Sequence, residues 1–493
     1  MRYLLGIDFG GGASKATLIG ENGEIVAENT VEYPTYHPFA GACEQSPRDW
    51  YQVLCKNTGA ILSKSGIAPK EIVCIAVDSA THTWVMCDEA YNPLRPAIHW
   101  TDSRSVEQAG RLKEPGMEWI VEQAYHKPDT IWTLPQLLWV KEKEPELFSK
   151  IRHIFFEKDY IRYCLTGVYC TDYIEAQGSM LYDLKEQKWS KELCDLAGIP
   201  VSYLPPLVKP TDFAGSVTPK AALDTGLMQG TPVICGTTDT VLEVFASGAV
   251  KPGQMTVKLA TAGRICVISD KAYPHAQLIN YSHIVDGLWY PGTATKSCAA
   301  SYRWYRDTFG GDYETLNLGA QETAPGADGL LFHPYLNGEL TPYADPLLCG
   351  SFIGMRASHE KKHFNRAVLE GISMSMLDCL NTIKDIGMTV GTEATLIGGG
   401  AKGALWRQIT ADMLGITLKT TISSDSSLGS AMLAGIAVGI FADCEDAVAK
   451  CVKFKDITTP NGENTKFYRK QYARYKAVAD ALQPIYHWEK ENI

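Results

Sequence analysis

The sequence predicts an α/β protein of two domains with like architecture and a cleft between them. Three observations predict it. The chain has 493 residues, too many for one hydrophobic core. A strand, small-residue turn, strand unit occurs twice, once at residues 3–19 and once at 255–268. An apolar run, Pro232-Val233-Ile234-Cys235, stops at Gly236 and delivers a lone carboxylate, Asp239, just ahead of the second unit. A carboxylate at the carboxyl end of a buried strand, beside a turn with few side chains, is where α/β enzymes work on phosphate.

Composition narrows the function. Apolar residues make up 45% and charged residues 21%, the usage of an ordinary globular enzyme. The net charge of −10 argues against nucleic acid and anionic membrane as partners. No apolar run approaches the roughly 18 residues a membrane span needs. The first residues, MRYLLGIDFGGG, enter a strand directly and lack a signal-peptide layout, which places the protein in the cytoplasm. The 14 cysteines include no C-x-x-C pair, and most lie in apolar runs, so they read as reduced core residues.

In chain order, residues 3–7 form a strand that ends in Asp8-Phe9-Gly10-Gly11-Gly12-Ala13-Ser14-Lys15. Residues 16–19 form the next strand, and Asn22-Gly23 turns it into a third over 24–32. The Gly-rich turn therefore joins two strands of a hairpin, whereas a P-loop or dinucleotide fingerprint joins a strand to a helix. Such a turn points the N–H groups of Gly10, Gly11 and Gly12 at phosphate, with Ser14 and Lys15 as further donors. Asp8 is then the Mg²⁺ residue, through water. The same residues also fit a plain hairpin with a surface Asp.

A helix starts at Ser46-Pro47, Ser46 capping and Pro47 at the first position. Residues 73–77 form a buried strand that runs into Asp78-Ser79-Ala80-Thr81-His82-Thr83. Thr81 and His82 thus sit past a strand end, where pockets are lined. Asp102, opening Thr101-Asp102-Ser103-Arg104, fits either a helix cap or a polyol contact. Residues 123–231 are mixed, with an apolar helix over 133–143. Gly398-Gly399-Gly400-Ala401-Lys402-Gly403 fits G-x-G-x-x-G literally, which would suggest a dehydrogenase. The motif stands alone, without two βαβαβ halves, and leaves the turns near Asp8 and Asp239 unexplained. Adenine and ribose packing on Gly399, Gly400 and Ala401 accounts for all three turns. Tyr468, Tyr472 and Tyr475 at helical spacing predict an amphipathic helix at the C-terminus.

These segments together resemble the FGGY family of carbohydrate kinases, nearest its xylulokinase branch. IDFGGGASK resembles the first phosphate motif, with Gly12 where Thr is usual. EQSPRDW, LRPAIHWTDSR and LPQLLWVKEKEPELF resemble family segments, the last with Gln136 for Lys. GTTD resembles the catalytic segment, and GSFIGMRASHEKKHFNRAVLEG the second signature. LIGGGAKGALWRQITADMLG resembles the adenosine segment and SLGSAMLAG the last motif. The resemblance implies the actin-like, ribonuclease H-like fold of the sugar kinase, heat-shock ATPase and actin superfamily. It implies domains over 1–244 and 245–493, and a homodimer.

It also implies ATP with Mg²⁺ as cofactors and a small-molecule sugar as substrate. Asp239 is then the general base. Thr261 and Gly263 of the second turn, Ala260-Thr261-Ala262-Gly263, join the phosphate site. Thr81, His82, Asp102, Arg104 and Glu44 contact the sugar. D-xylulose is the first acceptor implied. Ser79-Ala80-Thr81-His82-Thr83 replaces the xylulokinase G-Q-M-H-G, which leaves ribulose, erythritol, glycerol and gluconate open. A non-enzymatic actin-like ATPase is the remote alternative.

Overall fold

The computed structural model describes residues 1–492. The first sheet begins with three antiparallel strands, β1 (Tyr3–Phe9), β2 (Ala13–Gly20) and β3 (Ile25–Glu32). Helix α1 (Pro47–Ser65) follows, then β4 (Ile72–Ser79), β5 (Phe213–Ser216) and β6 (Pro232–Ile234). The strand order is β5-β6-β4-β1-β2-β3, with β1, β4 and β6 parallel at the centre. The patterns follow position. Central β1 and β4 are apolar runs buried almost throughout, whereas edge strand β3 alternates half-buried and exposed residues. A side sheet joins Glu44–Gln45, which precedes α1, to Ala97–Ile98, Trp84–Cys87 and His153–Phe156, which lie between β4 and β5.

The second sheet repeats the plan. Strands β7 (Met255–Leu259), β8 (Gly263–Val267) and β9 (Gly292–Thr295) form an antiparallel meander. Strands β10 (Glu393–Ile397) and β11 (Thr417–Thr421) lie parallel to β7, and β12 (Phe454–Thr458) closes the edge. The order is β9-β8-β7-β10-β11-β12. Each half is thus a three-stranded meander with parallel strands added beside its first strand, the two-domain α/β fold expected from the paired turns.

Helix α2 (Asp239–Ala246) leads from the first sheet to the second. Of the helices in the second half, α3 (Lys361–Asp385) is buried along most of its length and α4 (Ala404–Leu414) follows β10. Helix α5 (Ser426–Ala437) follows β11 but packs on the first sheet. Its Leu428, Ala431 and Met432 share a core with Leu4, Cys74 and Ala76. The backbones meet closely enough that a Cβ on Gly6 would lie 1.9 Å from the Ser427 carbonyl oxygen. A Cβ on Gly429 would lie 2.4 Å from that of Leu242 in α2. The boundary expected at 244/245 falls inside α2. We propose that the first domain runs on to Ala246 and the second begins in the 247–254 turn, with α5 contributed back across the boundary.

The terminal helix α6 (Gly462–Asn492) docks on the second domain as its tyrosines predict. Tyr468 donates to Glu370 at 2.7 Å, and Tyr475 pairs with the Tyr335 hydroxyl at 2.7 Å. His333 completes the seam. Its Nε2–H donates to the Tyr475 carbonyl at 3.1 Å, which leaves Nδ1 to accept from Ser351 Oγ at 3.1 Å. Burial pushes the His333 imidazole down to about 4.

Two predictions follow from this packing. Gly6→Ala has no room for its methyl group between two backbones and should lower unfolding free energy in urea by more than about 2 kcal/mol. Gly59→Ala, in α1 with open space around it, should raise it by about 0.5–1 kcal/mol. A gain for Gly6→Ala would refute the close crossing. The second concerns pH. His333 has a depressed folded pKa, so the unfolded chain takes its proton first. Its contribution is present above about pH 6.5 and is lost as pH falls toward 4. His333→Gln should make the fall in stability between pH 6.5 and 4 shallower. An unchanged slope in denaturation at several pH values would count against it.

Candidate active site

Asp239 is placed by a backbone that only glycine permits. Gly236 has φ +71°, and a Cβ there would lie 2.1 Å from the Val77 carbonyl oxygen. The chain therefore passes close to β4, and Thr238, past the end of β6, bridges to Ser79, the last residue of β4. Asp239 is the first residue of α2, so its carboxylate stands at a helix N-terminus. Its Oδ1 accepts from Thr81 Oγ1 at 3.0 Å and Thr238 Oγ1 at 3.2 Å. The expected base and the expected Thr81 are in contact.

Asp8 and Asp78 are register partners at the ends of parallel β1 and β4. Ser430 of α5 donates to Asp78 Oδ2 at 2.5 Å. Burial raises Asp8 to about 7, with the Asp239 charge adding to the rise. Burial, and then the Asp8 charge, raise Asp78 well above the carboxylate range. Oδ1 of each is closed to solvent and without a hydrogen-bond partner. Two orphaned carboxylate oxygens suit a hard cation. Among the described residues no group of three or more His, Cys, Asp or Glu side chains is assembled to cage a metal.

The two small-residue turns are built alike. At the first, the carbonyls of Gly10, Gly11 and Gly12 are taken up by groups of the first domain itself. The Tyr33 hydroxyl bonds Gly10, Gln45 Nε2 donates to Gly11 at 3.0 Å, and Tyr33 N donates to Gly12 at 3.0 Å. No hydrogen-bond partner engages the N–H of Gly11 or Gly12 among the described residues, and a Cβ on Gly12 would meet nothing. At the second turn, Ala299 N donates to the Ala260 carbonyl at 2.8 Å, and Cys298 N and Ala300 N to that of Thr261 at 3.1 and 3.2 Å. Turning carbonyls away leaves N–H groups for an anion. Gly398 brings the third turn alongside, since a Cβ on it would lie 3.1 Å from Ala260 N. Gly399 opens to free space, and Ala401 is half-buried beside it.

Some expected contacts do not form. Ser14 Oγ is buried and held by Asn57 at 3.1 Å. Lys15 points to the opposite face, as strand alternation requires, and pairs with Glu28 at 2.7 Å and with Asp425. Gly263 serves packing, because a Cβ there would lie 2.4 Å from Met376 Sδ. Gly400 likewise sits 2.7 Å, by that measure, from Leu259 Cβ. Glu44, Asp102 and Arg104 are brought together with one another, apart from the Thr81 and Asp239 contacts. Arg104 pairs with Glu44 at 2.6 Å and Asp102 at 2.8 Å, and Cys43 N donates to Asp102 at 2.6 Å. Their oxygens are spent on this buried network. Gln136 is a core brace, accepting from Trp84 Nε1 at 2.7 Å.

His82, the other expected sugar contact on this turn, follows Thr81 directly. Its φ of +67° is rare for a side chain with a Cβ, and its N–H donates to Glu175 Oε1 at 3.0 Å. Burial keeps its imidazole well below the usual histidine range, hence neutral. Trp132 packs edge-on at 4.7 Å, and Tyr281 Oη lies 3.4 Å from Nδ1. His126 stacks on Trp132 at 4.4 Å. Sequence reasoning missed Asp78, Glu175, His126 and Tyr281. A signal existed for Asp78, since LLGIDF and CIAVDS are both apolar runs ending in Asp.

Comparison with known proteins agrees with this architecture. The family model for the N-terminal domain of the FGGY family of carbohydrate kinases matches residues 3–246, and that for the C-terminal domain matches 259–438. The chain is 33% identical to the xylulose kinase of Bacillus subtilis over 483 residues, covering 97% of each. It is 31% identical to the gluconokinase of the same organism, covering 95% of this chain and 93% of that one. The ligand-bound xylulose kinase structure from Lactobacillus acidophilus superposes with a TM-score of 0.93 at 26% identity, covering 99% of each chain. With both domain models matched in order along one chain, this protein belongs to the FGGY family of carbohydrate kinases.

Proposed function

We propose that the chain transfers the γ-phosphoryl group of ATP to a hydroxyl of an open-chain sugar, with a ketopentose such as D-xylulose as acceptor and Asp239 as general base. The xylulose kinase of Bacillus subtilis, 33% identical over nearly the whole chain, supports the acceptor. One observation carries the mechanism: Asp239 stands at a helix N-terminus beside Thr81 and Thr238, on the side of the cleft where His82 and Tyr281 meet. Asp239 orients the acceptor hydroxyl and takes its proton as the oxygen bonds to the γ-phosphorus. A carboxylate suffices because the transition state is loose and the proton leaves late.

The N–H groups of the two turns hold the phosphates from opposite domains. Asp8, with Asp78, would hold Mg²⁺, which supplies charge neutralisation on the phosphates. Neutral His82 positions the acceptor, and the aromatic wall excludes water that would otherwise be phosphorylated. No helix among the described residues is long and apolar enough to cross a membrane. The described cysteines are free thiols, which supports a reducing cytoplasmic setting.

ADP release with Mg-ATP should be stimulated by D-xylulose in a panel that includes ribulose, erythritol, glycerol and gluconate. Asp239→Asn should lower kcat about 10²–10⁴-fold with KM for ATP little changed. Sugar-independent release that survives Asp239→Asn would sink the assigned base. Asp8→Asn should raise the Mg²⁺ needed for half-maximal rate at least about tenfold. An unchanged Mg²⁺ titration would remove Asp8 from the metal site.

A further inference from the structure

Cys170 and Cys235 form a thiol pair that the kinase mechanism leaves unused. Cys235 follows β6 and directly precedes Gly236, and Cys170 lies past the end of the helix Glu157–Thr166. The two segments run side by side. Arg162 forks between their carbonyls, Nη1 donating to Cys235 at 2.9 Å and Nη2 to Cys170 at 2.5 Å. The same nitrogens lie 3.2 Å from the Cys235 and Cys170 sulfurs respectively. Further along both segments, Thr237 Oγ1 donates to Asp172 Oδ1 at 2.7 Å. The two thiols hydrogen-bond each other. With Ala214 and half-buried Val208 they make a small cluster separate from the large cores. Ala214 belongs to β5, an edge strand whose pairing with β6 is irregular between Phe213 and Ser216. The pair therefore lies under a short edge strand, and such elements open locally at low cost.

Two thiols in contact beside a fixed cation suit oxidation. The hydrogen bond with Cys235 lowers the Cys170 thiol to about 7, and the Arg162 charge adds to the fall. Burial instead raises Cys235 well above the thiol range, so it keeps its proton. Cys170 is thus the nucleophile and Cys235 the resolving thiol. We propose that Cys170 and Cys235 are a site of reversible oxidation, closed to a disulfide by a peroxide and reopened by a dithiol. The Cys170 thiolate attacks one peroxide oxygen and the O–O bond breaks. Cys170 becomes a sulfenic acid, and the departing hydroxide takes up a proton as water. The Cys235 sulfur then bonds to the Cys170 sulfur, the S–OH bond breaks, and hydroxide leaves with the Cys235 proton as water. Two thiols are oxidised and one peroxide is reduced to two waters. The bridge bears on Asp239 through the chain. Gly236 has no slack against β4, since a Cβ there would lie 2.1 Å from the Val77 carbonyl oxygen, so a displaced Cys235 shifts the residues leading into Asp239. The bond also replaces the thiolate facing Arg162 with a neutral sulfur. Lower turnover follows, and this consequence, unlike the bridge, rests on the kinase reading above. In a reducing compartment such a bond is transient and senses oxidant.

The test treats the full chain with hydrogen peroxide, blocks remaining thiols with N-ethylmaleimide, digests without reduction and maps the peptides by mass. A Cys170–Cys235 peptide, two hydrogens lighter than its reduced parts, should appear. D-xylulose turnover should fall about 10²-fold, the scale of a misplaced reacting group, and return with dithiothreitol. Cys170→Ser should form no bridge and keep its turnover through the treatment. Cys235→Ser should stop at a sulfenic acid on Cys170 that dimedone traps. Cys349→Ser, at an exposed cysteine, should behave as the wild type. Oxidation at other cysteines with no Cys170–Cys235 peptide would overturn the proposal. A bridge that leaves turnover untouched, or equal losses in Cys170→Ser and the wild type, would overturn the link to Asp239. If no acceptor is phosphorylated, the kinase reading fails and the mass map decides alone: the bridged peptide upholds the site, and its absence removes it.

Discussion

The structure depends on carboxyl groups held together out of water. Asp8, Asp78, Glu157 and Glu175 are all raised above their ordinary range, burial being the largest cause at each. Like charges at such spacing cannot all ionise without a cation. The fold accepts this because the carbonyl ends of parallel strands bring Asp8 and Asp78 side by side in register, and the approach of β6 adds Asp239. A protein free of function would have no reason to concentrate acids there. The cleft proposed to receive Mg²⁺ and phosphates would gain from it, because the acids are arranged before the cation arrives.

Beneath this cluster lies a compensated one. Lys158 pairs with Asp159 at 2.6 Å and Asp172 at 2.9 Å, and Arg162 pairs with Asp159 at 2.7 Å, all fully buried. Arg162 also donates to the Cys235 carbonyl at 2.9 Å, and Asp172 accepts from Thr237 Oγ1 at 2.7 Å. These bonds reach the residues that precede Asp239. A buried network with its members paired is rigid, so the loop that leads into Asp239 is fixed from below. The upper acids are left unpaired for ligand, and the lower ones are spent on geometry.

What was legible in the sequence was local. Apolar runs ending in glycine and a carboxylate gave the strands β1 and β6 and pointed to Asp239. Asn22-Gly23 gave the hairpin. Tyr468, Tyr472 and Tyr475 gave the docked helix. Side-chain destination was not legible where it depends on which face of a strand meets which neighbour. Ser14 and Lys15 adjoin a phosphate turn in sequence, yet one is buried against Asn57 and the other crosses to Asp425. Asp102 and Arg104 carry the right chemistry for a polyol, but Glu44, 60 residues from Arg104, consumes it. Ser430 bonds Asp78 across 352 residues of chain, a pairing that no spacing announces.

The crossing of α5 ties this chemistry to the two-domain plan. Thr17 meets Ser427 at 2.8 Å, Lys15 meets Asp425, and Ser430 holds Asp78. All three contacts join α5 or its cap to the first sheet, while the strand before α5 belongs to the second. The small residues Gly6 and Gly429 make the approach possible, since a methyl group at either would meet backbone. The pair α2 and α5 therefore forms one packed unit lying between the sheets, and α2 begins with Asp239, the proposed base. A helix that carries Asp239 at its start and is clamped by α5 cannot shift without disturbing Ser430 and Asp78. The proposed base and the proposed metal-binding acids are thereby held in one frame, while the Ala260-Thr261-Ala262-Gly263 turn belongs to the second sheet.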